Sequence, residues 1–314
     1  MTSADVLLQL AARDASTKFP LDDIAFDISS MAQQTLINYA KAGPRLHSLG
    51  GVTVSRISQN LVVKFGTGVL ASEGLTMSFV ATNFPGVRLP RVYRHFNVPC
   101  QSAFFGMEGY VVMDYLDGYS LESCWSDLST ERKKAIVAQV AEMVHQLQSK
   151  RFKQPGVVGG GISRGRWFTD YGAGPFTTKQ NFERWFNWKL GLGQHFNQVA
   201  KEIPSMDFQY FVVVHGDLSP RNLIVDANNQ VWLIDWGFAG IYPPIFETAT
   251  LSRQMHFPDF AQLLGPFIYK NDQEMVQLES CMFGLINMSA TNPPEYLWPV
   301  SEVTTYSVRF NDIE

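Results

Sequence analysis

The chain has 314 residues, 46% of them hydrophobic and 17% charged, with 23 Phe and 7 Trp. This apolar content fits a folded protein, and the length favours two unequal lobes packed around a cleft, because single cores stop growing near ~250–300 residues. A net charge of −4 without any sustained Lys/Arg stripe argues against the electrostatic footprint of a nucleic-acid or anionic-membrane binder.

In chain order, residues 1–10 contain Asp5 and no basic region ahead of an apolar core, so no secretory signal is expected there. The first 45 residues read as helical, with Leu7, Leu8, Leu10, Met31, Leu36 and Ile37 at amphipathic spacing. From Gly51 the period changes to two: Val52, Val54 and Ile57 alternate with polar residues, Ser58-Gln59-Asn60 turns, and residues 61–65 form a second strand carrying Lys64. Ser72 is expected to cap a helix that carries Glu73 and stops before Pro85-Gly86, and strands are expected at 91–96 and 101–106. The β-branched and aromatic run 109–116 breaks at Asp117-Gly118, where the lobe boundary is placed: 1–116 and 117–314. Ser129 caps a helix with Ile136, Val140, Met143, Val144 and Leu147 on one buried face, and the second lobe is mainly helical apart from a strand pair over 223–234. The expected class is α+β.

The apolar runs fall far short of the ~18–20 residues a membrane span needs. Cys100, Cys124 and Cys281 match neither a zinc site nor a disulfide framework, so a reducing, cytoplasmic setting is expected. Oligomeric state is not readable.

The informative stretch is His215-Gly216-Asp217-Leu218-Ser219-Pro220-Arg221-Asn222, followed by two short apolar strands and then Asp235-Trp236-Gly237. Antiparallel pairing of those strands brings Asn222 and Asp235 together at the open end of a hairpin, with Asp217 on the preceding loop. Two carboxylates and a carboxamide oxygen suit a hard cation, and Mg²⁺ is commonly held by one or two protein groups plus nucleotide phosphates. Asn222 and Asp235 would hold that ion, Asp217 would accept the proton of an attacking hydroxyl, and Lys64, braced by Glu73, would reach the α- and β-phosphates of ATP. His215 reads as a brace for the loop.

These residues resemble the aminoglycoside phosphotransferase and choline kinase group, within the protein kinase-like fold. That group writes the catalytic loop and metal segment as His-Gly-Asp-Leu-x-Pro-x-Asn and Ile-Asp-Trp. The blocks 56–66, Glu73, Pro90-Arg91-Val92-Tyr93, 113–118 and Gly174-Pro175-Phe176 are similar to its large fungal branch. The resemblance implies a bilobal fold and a Mg²⁺-dependent enzyme that moves the γ-phosphoryl group of ATP to a hydroxyl of a small molecule. Adenine would lie against backbone near Asp114 and Leu116. No activation segment of the protein-kinase type is visible. Two departures keep an alternative open, a repurposed fold that binds or transforms a specialised metabolite without phosphoryl transfer: only Leu49-Gly50-Gly51 stands where a glycine-rich loop is expected, and Gly237 replaces the family's usual Glu. Trp185, Trp188 and Trp236 either line the acceptor pocket or belong to the core, and Glu247 either bonds the acceptor or is a solvated first-turn carboxylate. Gly156 and Gly159-Gly160-Gly161 read as plain loop.

Overall fold

A computed structural model describes residues 18–21, 27–169 and 171–293; the expected helix around Leu7, Leu8 and Leu10 lies outside them. The chain forms two compact units: residues 1–133 with 220–237, and residues 134–219 with 238–314.

The first unit is built on a five-stranded antiparallel sheet, β1 (Arg45–Leu49), β2 (Val52–Arg56), β3 (Leu61–Gly66), β4 (Val92–Pro99) and β5 (Met107–Asp114), in the order β1-β2-β3-β5-β4. The two-residue period of β3 sorts its side chains. Leu61, Val63 and Phe65 join Val112, Tyr110 and Phe96 in a core that helix α1 (Gln33–Ala42) covers with Leu36, Ile37 and Ala40. Each of those buried Leu or Ile side chains contributes about 1.5–3 kcal/mol. Lys64, paired with Val54 and Val111, therefore takes the opposite face.

Helix α2 (Ala71–Asn83) lies against β4 so closely that a Cβ on Gly74 would sit 2.6 Å from the His95 Cβ. Its N-cap is Leu70 rather than the expected Ser72, which lies with Glu73 in the first turn. The segment 101–106 is a chain reversal, not a strand. Cys100 and Gly106 bond across it, and Gly106 takes φ 71°, because small and polar residues favour a turn there. Its neighbour β4 runs on to Pro99 and β5 begins at Met107.

The expected ribbon forms as β8 (Leu223–Asp226) and β9 (Val231–Leu233), with Leu223 opposite Leu233, and β6 (Gly118–Ser120) adds a third strand beside β8. The Asp226 carboxylate closes the turn by accepting from the N–H groups of Asn228 and Gln230 and from Trp232 Nε1. On its other edge β9 is tied to the segment before β4: Leu233 N donates to Arg88 O, and Arg88 Nε donates to Val231 O. The ribbon, assigned to the second lobe by the sequence reading, thus clusters with the sheet.

The second unit is mainly helical. Helix α3 (Thr130–Leu147) is capped by Ser129 Oγ, which accepts from Arg132 N, and buries Ile136, Val140, Met143, Val144 and Leu147 as their spacing requires. Helix α4 (Lys179–His195) carries Phe182, Trp185 and Phe186 into an aromatic core shared with Phe168, Phe176, Tyr242 and Phe246. A short strand β7 (Val212–Val214) pairs with β10 (Gly240–Tyr242), and helices α5 (Ile245–Ser252), α6 (Pro258–Leu264), α7 (Asp272–Ser280) and α8 (Met282–Asn287) follow. Gly156, Gly159, Gly160 and Gly161 all have positive φ in a loop, two-way bonded through Gly156 to Ile241. No described helix is long and apolar enough to cross a membrane.

Candidate active site

In the first unit Lys64 is the focus. Its Nζ donates to Glu73 Oε1 at 2.6 Å and to Asp235 Oδ1 at 2.7 Å. Strand β3 supplies the lysine, the first turn of α2 supplies Glu73, and the residue just past β9 supplies Asp235. Lys64 and Glu73 are buried, whereas half of the Asp235 side chain is exposed. Burial alone would drive the Lys64 charge off. The charges of Glu73 and Asp235 more than offset that and hold the ammonium protonated beyond the ordinary lysine range. Burial pushes the Glu73 carboxyl up, the Lys64 charge pulls it down, Asp235 adds a like-charge push, and the Trp236 N–H donates to it.

Asp235 takes φ 62°, a left-handed conformation that Asp tolerates better than most residues and that recurs at functional sites at a cost of about 1–3 kcal/mol. The ribbon register puts Asn222 beside this turn: Ile234 N donates to Asn222 O at 3.0 Å. Gly237 completes it. A Cβ there would lie 3.5 Å from Asp235 Oδ1 and 3.6 Å from Glu73 Oε2, in ordinary contact with both carboxylates. Among the described residues no cluster of three His, Cys, Asp or Glu could hold a metal by itself. An oxygen-only pair, Asn222 and the half-exposed Asp235, fits Mg²⁺, which takes few protein ligands when nucleotide phosphates supply the rest.

Beside Lys64, the β1–β2 connection is a two-residue turn with φ 59° at Gly50 and 77° at Gly51, as a tight hairpin requires. It interlocks with the end of β3. Gly68 N donates to Gly51 O, and a Cβ on Gly66 (φ 137°) would lie 2.0 Å from that same carbonyl. The Asp114 carboxylate accepts from Arg91 N and from Tyr93 OH, which leaves its side chain committed to β4. The Leu116 backbone makes no hydrogen bond among the described residues. A cavity of about 630 Å³ is lined by Asp27, Ile28, Asn60, Leu61, Arg91 and Tyr93, and Lys64 is not among its lining residues.

In the second unit, β7 delivers His215-Gly216-Asp217. The buried His215 accepts the Asp217 N–H at Nδ1 (3.3 Å), which puts its own proton on Nε2. Gly216 has φ 76°, and a Cβ on it would lie 2.9 Å from Phe238 O. Glu247, in the first turn of α5, is fully buried and accepts from the N–H groups of His215 (2.6 Å) and Gly216 (3.1 Å). Burial pushes its carboxyl up to about 7, the two N–H groups pull it down, and the nearby Asp217 charge adds to the rise. The solvated reading of Glu247 does not hold: the buried carboxylate accepts two N–H groups and fixes the backbone of the Asp217 loop. The signal was a lone carboxylate inside the apolar helix Ile245–Ser252.

Of the two readings left open for the tryptophans, burial favours the core for Trp185 and Trp236. Trp185 has no exposed surface and donates through Nε1 to Asn292 Oδ1. Trp236 is equally buried and donates to Leu233 O, which pins the Asp235 turn. Trp188 keeps partial exposure. Large rings next to polar motifs were ambiguous in sequence because burial decides their role.

The α+β architecture, an antiparallel sheet bearing a buried lysine–glutamate pair and a helical unit bearing the Asp217 loop, is the protein kinase-like fold. The profile of the phosphotransferase enzyme family matches residues 60–274; the chain belongs to this family. An 84-residue stretch is 32% identical to "Altered inheritance of mitochondria protein 9, mitochondrial" of Vanderwaltozyma polyspora, covering 26% of this chain and only 12% of that protein. Solved structures similar to this chain include aminoglycoside phosphotransferase APH(4)-Ia, at 15% identity and TM-score 0.49 over 82% of this chain and 92% of that one. Another is the streptomycin–ATP–APH(2")-IIa ternary complex, at 15% identity and TM-score 0.46 over 82% and 87%.

Proposed function

We propose that this chain transfers the γ-phosphoryl group of ATP, with Mg²⁺, to a hydroxyl of a small molecule. The observation that carries the reading is the buried Lys64 held between Glu73 and Asp235 at 2.6 and 2.7 Å. An ammonium kept charged in a buried site, with the half-exposed carboxylate of Asp235 beside it, is suited to polyphosphate oxygens. In this reading Lys64 neutralises the α- and β-phosphates, and adenine lies along the open backbone of Leu116 next to Asp114. The ion, held by Asn222 and Asp235, would supply charge neutralisation at the β- and γ-phosphates. Asp217 accepts the hydroxyl proton as the new oxygen–phosphorus bond forms and the β–γ bridge breaks, ADP leaving with the electron pair. His215 and Glu247 hold the Asp217 loop in shape so that this base is positioned before substrate arrives. The free thiols of Cys100, Cys124 and Cys281 support a reducing compartment such as the cytoplasm.

The test is calorimetry and turnover with ATP. Binding is expected to require Mg²⁺ and to be lost in Asp235→Asn, while Asp217→Asn should keep ATP binding and lose roughly 10²–10⁴-fold in turnover, the usual contribution of a positioned base. Tight ATP binding that ignores both Mg²⁺ and Asp235→Asn would sink the proposal.

A further inference from the structure

One side chain joins three separate pieces of the first unit beside Leu116. Arg56 ends β2, two residues past Val54, and Val54 pairs with Lys64, so strand alternation puts the arginine on the lysine's face of the sheet. Its guanidinium packs against two rings, with the centre of Tyr115 at 3.7 Å and that of the buried Phe19 at 4.5 Å. The same fork grips the β2–β3 turn: Nε donates to Ser58 O at 3.2 Å, and Nη2 donates to Gln59 O at 2.7 Å. The next carbonyl of that turn, Asn60 O, accepts from Tyr115 N at 2.7 Å. Arg56 therefore acts on Tyr115 by two routes, directly on its ring and through the turn on its N–H.

These contacts bracket Leu116. Before it, Asp114 N donates to Arg91 O, and Tyr115 N is committed to Asn60. After it, Gly118 pairs with Asp226 so closely that a Cβ would lie 2.4 Å from Val225 O. Leu116 keeps its N–H and C=O open between these fixed points. The Watson–Crick edge of adenine offers acceptor N1 next to donor N6, whereas guanine offers donor N1 next to acceptor O6, the reverse order. A backbone pair held in one place satisfies one order and leaves the other with unmet polar groups, while a pair free to shift by one peptide group serves both. Arginine suits the holding role because a planar fork stacks on rings and bonds several carbonyls at once, which the point charge of a lysine does not reproduce.

We propose that Arg56 is a positioning residue that sets the choice of donor base, holding Tyr115 and the Leu116 backbone so that they match adenine and reject guanine. This rests on the phosphotransferase reading above and adds what selects the nucleotide. The experiment is calorimetric titration of the full chain with ATP and with GTP, each with Mg²⁺. The wild type is expected to bind ATP at least about tenfold more tightly than GTP, because the wrong base leaves hydrogen-bonding groups unpaired. Arg56→Lys keeps the charge and loses the fork; it should weaken ATP about tenfold and GTP by no more than about twofold, which brings the ratio near one. A general loss of structure would weaken both nucleotides together and leave the ratio where it was. Tyr115→Ala, which leaves the grip on the turn in place, should narrow the ratio as well, and Tyr115→Phe, which keeps the ring, should preserve it. Arg94→Lys removes a comparable fork in the same unit, one that donates to Ile28 O at 3.2 Å and lies 5.6 Å from the centre of the Phe96 ring. That variant should move neither affinity by more than about twofold, as expected of an independent position. Equal affinities in the wild type, a ratio left unchanged by Arg56→Lys or by Tyr115→Ala, or a ratio that Arg94→Lys narrows as much, overturns the inference. Absence of ATP binding in the wild type overturns the phosphotransferase reading itself, and this inference with it.

Discussion

Lys64 is costly to isolate. With its ammonium removed, Glu73 would be a buried carboxylate whose compensating charge is gone, and breaking such a pair typically costs about 3–5 kcal/mol. Lys64→Met is therefore expected to destabilise the protein by that amount in urea unfolding, and Lys64→Met combined with Glu73→Leu to recover most of it. A single mutant that loses less than about 1 kcal/mol, the worth of an exposed pair, would contradict the burial argument. Glu247 gives a second test at the same scale. Its carboxyl is raised from 4.5 to about 7 in the folded state, so between those values the native protein binds more protons than the unfolded chain. Stability from this group is fully present below pH 4.5 and is lost as pH rises through 7, by about 3 kcal/mol at most. Glu247→Gln gives up one N–H acceptor at all pH values, but it should flatten the fall between pH 4.5 and 7; equal slopes in both proteins would refute a raised carboxyl.

The β8–β9 ribbon was legible because its turn, Asp226-Ala-Asn-Asn-Gln, and its apolar strands are local signals, and antiparallel register then fixes what stands at the open end. Long-range closures left no such trace. Nothing near Arg88 announces that its carbonyl receives Leu233 N, and nothing in the apolar helix Ile245–Ser252 says which backbone Glu247 serves. The same limit explains the misplaced strand at 101–106: Phe104 and Phe105 imitate a strand locally, whereas the Cys100–Gly106 closure that makes the turn depends on β4 and β5 already being paired. The sparse glycine signal at Leu49-Gly50-Gly51 has its counterpart at Gly66 and Gly68, at the far end of β3. Gly66→Ala should be much worse than a surface substitution, because the methyl would lie 2.0 Å from Gly51 O at a positive φ. A melting loss equivalent to at least about 1–3 kcal/mol is expected, together with a raised KM for ATP; an unchanged melt would mean that the hairpin tip moves freely away from β3.

At the scale of the molecule, ligand binding and folding are linked, so ATP with Mg²⁺ at a hundred times its Kd should add about 2.7 kcal/mol to stability, read as a rise in Tm. A chelator should remove that gain, and Asp235→Asn should never show it. The α+β class followed directly from the change of hydrophobic period along the chain. How the chain is shared between its compact units did not, because residues 220–237 return to the first unit after residues 134–219 have built part of the second.

That return path has a consequence for synthesis. As the chain leaves the ribosome, Lys64 and Glu73 emerge long before Asp235, and the edge that Arg88 must seat arrives with it. A fragment ending at residue 133 would hold a lysine answered by only one of its two acids, and it should fail as a free-standing half. The sheet becomes a finished object only when a late stretch of polypeptide comes back to it.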